Sequence, residues 1–117
     1  MFQAQYLFKG NVVLSPWMER GGDNLVITLD LVAQSQTTCT IKVEVLTKAK
    51  DTPGDGTTSP MSGSIETDSL GQTNMEFTGA NELVRYRFTS GNPTNPEDYD
   101  YVLFRMLQVT WFDDVGV

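Results

Sequence analysis

The feature that most constrains this chain is a long stretch of strict alternation. Leu25, Ile27, Leu29, Leu31 and Ala33 interleave with Val26, Thr28, Asp30, Val32 and Gln34. Successive side chains of a strand point to opposite faces, so a two-residue period of this length reads as a half-buried β-strand. The pattern returns at once. Cys39, Ile41, Val43 and Val45 share one face, and Thr40, Lys42 and Glu44 share the other. The short polar break Ser35-Gln36-Thr37 reads as a hairpin turn, so these two strands are expected to pair with each other.

Weaker alternation fills the rest of the chain. Phe2, Ala4, Tyr6 and Phe8 share a face before the turn at Lys9-Gly10-Asn11, and Val12-Val13-Leu14 follows. Short strands are expected at Ser64–Asp68 and Asn74–Thr78, and Val84, Tyr86 and Phe88 alternate with Arg85 and Arg87. The longest candidate runs from Tyr99 to Phe112, with Leu103, Arg105, Leu107, Val109 and Trp111 on one face and Val102, Phe104, Met106, Gln108 and Thr110 on the other. No helical stripe outlasts a turn, and the abundant Thr and Val favour strands. The expected architecture is one all-β domain over residues 1–117. It is an antiparallel β-sandwich or jelly roll of about seven to eight strands.

Charge and residue types narrow the function. Fifteen acids against eight Lys and Arg give −7. Nucleic acid and anionic membrane surfaces are held by clustered cations, so neither is an expected partner. No apolar run approaches the roughly 18 residues a membrane-spanning helix needs. Histidine is absent, which removes the commonest general base and metal ligand. A Ser-His-Asp triad and a Cys-His pair are therefore out of reach, and zinc lacks its usual ligands. Carboxylate-only chemistry of the glycosidase kind is the enzymatic route left open, and the expectation is no enzyme. Cys39 is the one cysteine; it can form no intramolecular disulfide and is expected in the core. The first residues lack the basic start and apolar stretch of a signal peptide, so synthesis in the cytoplasm is expected.

Candidate contact residues lie in the loops and ends. The polar, Gly- and Pro-containing stretch from Lys50 to Gly63 and the loop from Ser90 to Asp98 are long for a compact domain, a property of functional or disordered segments. Within the first, Asp51 and Asp55 flank a Gly-permitted turn and form the candidate calcium site, weighed against a solvated turn. Asp23, Asp98, Asp100, Asp113 and Asp114 form a second acidic set, with a metal between them if they converge at one end. The residues singled out for protein contact are Phe2, Gln3, Thr52, Pro53, Thr57, Thr58, Tyr99, Tyr101 and Val117. Arg85 and Arg87 are expected to pair across strands with Glu76 or Glu82, or with a neighbouring subunit. Trp111 reads as core, and Trp17, after Pro16, as a turn residue.

These features point to a non-enzymatic structural or assembly protein. It would contact copies of itself or a larger assembly, most naturally as a virion component (capsid, decoration or tail accessory) or part of another particle. No cofactor is expected. The alternative is a carbohydrate-binding β-sandwich module with a glycan partner and a structural calcium, using Tyr99 and Tyr101 beside Asp98 and Asp100.

Overall fold

A computed structural model describes residues 4–8, 11–51, 59–63, 65–91 and 99–113, with backbone alone for Ser59 and Ile65. Its strands are β1 (Gln5–Phe8), β2 (Val12–Leu14), β3 (Met18–Glu19), β4 (Asn24–Gln34), β5 (Thr40–Lys48), β6 (Ser59–Pro60), β7 (Ile65–Thr67), β8 (Gly71–Thr78), β9 (Leu83–Gly91) and β10 (Tyr101–Phe112). No helix occurs among the described residues, so none crosses a membrane.

The strands form two antiparallel sheets packed face to face. The first has the order β1-β10-β4-β8, and the second β2-β9-β5-β6, with β3 also on β9 and β7 also on β5. β2 and β3 lie in succession along β9, and β6 and β7 along β5. Each pair is thus one interrupted strand, which reduces the ten described segments to eight, within the expected seven to eight. The outer partners nest: β1 with β10, β2/β3 with β9, β4 with β8, and β5 with β6/β7. An antiparallel ribbon rolled in this way, its strands divided between two sheets, is a jelly roll.

The expected hairpin does not form. β4 pairs with β10 and β8, whereas β5 pairs with β9, β6 and β7 in the other sheet. Two-residue hairpin turns need positive φ and so favour Gly or Asn. Ser35-Gln36-Thr37 contains neither, and no described non-glycine residue has positive φ. The link instead arches from sheet to sheet. Ser35 N–H donates to the Tyr101 carbonyl at 3.0 Å, and the Gln34 amide donates to the Cys39 carbonyl at 2.8 Å. Packing explains the arch. The rows Leu25/Ile27/Leu29/Leu31 and Ile41/Val43/Val45 are all fully buried, each covered by the opposite sheet. Burying such side chains contributes about 1.5–3 kcal/mol each.

Phe88 of β9 and Phe104 of β10 meet in the centre of that core, ring centroids 4.9 Å apart. Cys39 is buried in the same core cluster. β10 departs from uniform alternation. Its pairing with β4 shifts between Met106 and Gln108, leaving Leu107 as the extra residue of a bulge. A bulge exchanges the faces beyond it. Val102, Phe104 and Met106 therefore point inward on one side of Leu107, and Val109 and Trp111 pack on the core on the other. Gly21 lies so close to the Trp111 ring that a Cβ there would overlap it.

Candidate functional site

The two lateral sides of the sandwich differ in chemistry. On one side run β8 of the first sheet and β6/β7 of the second. Here the chain leaves β6 to touch β8, with Ser62 and Thr78 exchanging backbone hydrogen bonds of 3.2 and 3.0 Å. Gly63 makes the detour possible: its φ is +121°, and a Cβ would run into the Glu76 carbonyl oxygen. The outward positions of β8 are Gln72, Asn74 and Glu76, and β7 presents Glu66. Polar and charged outward residues are how natural edge strands resist further pairing.

The opposite side, β1 and β2, has no such guard. Among the described residues each of these strands has a neighbour on one flank. Tyr6 is 59% exposed, Val12 51%, Leu14 48% and Phe8 42%. Leu7 is the core residue of β1, so the aromatic face of this segment points outward. There Tyr6 meets Tyr101 edge-on at 5.3 Å, and Phe8 lies 6.2 Å from both rings. Leu103, opposite Tyr6, extends the patch onto β10.

A groove of about 530 Å³ runs over the outer face of the second sheet, continuous with this side. Val12, Leu14 and Leu46 form its apolar lining, and Lys42, Arg85, Arg87, Thr89 and Glu44 its polar one. Glu44 is nearly buried and accepts from Arg87 Nη2 at 2.7 Å and Nε at 3.2 Å, with Lys42 Nζ at 3.9 Å. The Trp17 ring is held over this face with Lys48 Nζ at 4.5 Å and the Arg85 guanidinium at 5.0 Å, both within cation–π range. Arg85 Nε also donates to the Ser15 carbonyl at 2.9 Å. Arg87 therefore pairs with its direct cross-strand neighbour Glu44, and not with the expected Glu76 or Glu82. Arg105 pairs with Asp30 on the first sheet at 3.0 Å.

The acidic residues do not converge as a single set. Asp23 N–H donates to Asp113 Oδ1 at one end of the sandwich. Asp100 lies at the other end, 2% exposed, accepting from Ser35 Oγ at 2.7 Å and Gln36 Nε2 at 3.0 Å. Asp98 and Asp114 fall outside the described residues, as does Asp55; Asp51 is exposed. Among the described residues no three Asp, Glu or Cys side chains are grouped to hold a metal ion. Near Asp51, Glu19 hydrogen-bonds Lys50 at 3.0 Å, and that contact holds the exposed ammonium above its usual range.

Of the expected contact residues, Tyr99 is 71% exposed and Tyr101 is half-buried within the aromatic patch. Phe2, Gln3, Thr52, Pro53, Thr57, Thr58 and Val117 lie outside the described residues. Sequence reasoning did not single out Tyr6, Phe8, Val12 and Leu14, because alternation shows that residues share a face without showing which face is outside. It also missed Lys42 and Lys48 as members of one surface with Arg85 and Arg87, which needs the β5–β9 pairing. No protein-family model, curated protein or solved structure significantly matches this chain.

Proposed function

We propose that this chain is a non-enzymatic structural protein that works by protein–protein contact, as a subunit of a virion or comparable particle. The observation that carries the reading is the unequal treatment of the two sides. One side has polar edges and a stitch between the sheets, whereas Tyr6, Phe8, Val12 and Leu14 stand exposed along the other. Apolar residues concentrated on unguarded edge strands mark an association surface. Jelly rolls occur in capsids and in lectins alike, so the fold alone does not choose between them. A glycan site would want an open aromatic platform in the groove; here the Trp17 ring is engaged by Lys48 and Arg85.

The test is the solution mass of the purified chain by sedimentation, wild type against Tyr6→Lys. We expect a defined multimer that Tyr6→Lys disperses without changing the thermal unfolding midpoint. A wild-type monomer at every concentration overturns self-association.

A further inference from the structure

We infer that the groove over the second sheet is the receptor for the acidic end of another copy, a head-to-tail contact. The inference rests on the assembly reading and names its partner surface. Its basis is the distribution of charge. Lys42, Lys48, Arg85 and Arg87, half of the eight cations, belong to the outer face of the second sheet, against Glu44, Glu66 and, where that face borders the acidic end, Glu19. The rest of the chain therefore holds four cations and twelve acids. A locally positive groove on a strongly negative molecule complements the molecule's own surface.

The surface that fits is also on the page. At the end of the sandwich formed by the β3–β4 and β8–β9 turns and the chain following β5, Glu19, Asp23, Glu82 and Asp113 are gathered around Arg20 and Lys50, and exposed Asp51 follows Lys50 in the chain. The contacts Arg20–Asp23, Lys50–Glu19, Lys50 N–Glu82 and Asp23 N–Asp113 knit them together. Carboxylates from this end would meet Lys42 and the guanidinium groups, Arg being suited to bind them with two donors at once. Val12, Leu14 and Leu46 supply apolar contact beside them. A contact between two different patches is heterologous, so it builds rings or open rows rather than closed pairs.

Salt dependence has a decisive sign. Copies each carrying −7 repel, so screening should strengthen an association made by apolar edges alone. Complementary charge predicts the reverse. We expect self-association, followed by sedimentation, to weaken roughly tenfold or more between about 50 and about 500 mM NaCl. Two double variants test the two surfaces. Lys42→Gln/Leu46→Glu neutralises the groove and gives Arg85, opposite position 46, a carboxylate partner. Glu19→Lys/Asp51→Lys reverses exposed charges at the acidic end. Each should reduce the salt-sensitive association with an unchanged melting curve. Association that strengthens with salt, or that survives both variants and is dispersed by Tyr6→Lys, overturns the groove contact while the assembly reading stands. A wild-type monomer whose groove binds a hexaglutamate peptide also overturns it, showing an acidic occupant other than a copy.

Discussion

Ser35 Oγ donates to Asp100 Oδ1 at 2.7 Å and accepts the Tyr101 backbone N–H at 3.0 Å, tying the sheet-to-sheet arch after β4 to the start of β10. The carboxylate is buried, and Gln36 donates to it as well. Asp100→Ala leaves the Ser35 hydroxyl and Gln36 amide without that acceptor. Stranding buried polar groups costs about 1–3 kcal/mol each. Urea unfolding should show a loss in this range, and Ser35→Ala a smaller one. An Asp100→Ala variant as stable as wild type would show that the arch holds without its carboxylate.

Gly63→Ala should be more damaging than an exposed position would ordinarily allow. The residue needs positive φ, and its new methyl would meet the Glu76 carbonyl. Strain of this kind costs on the order of 1–3 kcal/mol, or roughly 4–12 °C of Tm in a domain of this size. Differential scanning calorimetry measures the shift.

Deleting Leu107 should be far worse than truncating it. Removal of the bulge residue would turn Val109 and Trp111 toward solvent and Gln108 and Thr110 inward. Leu107→Ala keeps the count of residues and should cost about 1 kcal/mol. The deletion should abolish cooperative unfolding and shift tryptophan emission to the red.

Stability should fall at alkaline pH partly through Tyr86. Burial pushes its phenol above the ordinary value of 10.0. The unfolded chain then loses its proton before the folded one, so the native state's advantage is intact below pH 10 and declines as pH rises beyond it. Tyr86→Phe should flatten the urea midpoint between pH 9 and about pH 11 relative to wild type. Absorbance titration should show a late phenol component that disappears in the variant.

Much of the fold was legible because both central strands declare their inner rows. Leu25 to Leu31 and Cys39 to Val45 are buried as alternation requires, and the eight-strand layout follows from the spacing of the turns. Pairing was not legible. Alternation is a property of one strand, whereas the arch is tied down by a partner remote in sequence, Asp100, some 65 residues beyond Ser35. The bulge at Leu107 was hidden for the same reason: an apolar residue on either face satisfies the pattern. The interaction surfaces were the least visible. Arg87 found Glu44 by register, and Tyr6 and Phe8 resemble core residues until Leu7 is seen to occupy the inside.

The stitch between Ser62 and Thr78 has a consequence for safety as well as stability. Jelly-roll edges are templates for endless accretion, the route by which β-rich proteins become fibres. Here the polar flank is sewn across at Ser62 and Thr78 and presents Gln72, Asn74 and Glu76, so on the proposed assembly reading strand addition would be confined to the aromatic flank. Two molecules that meet by that flank turn their sewn flanks outward. Strand addition of that kind would stop at the pair, whereas the groove contact inferred above would extend it into rings or rows.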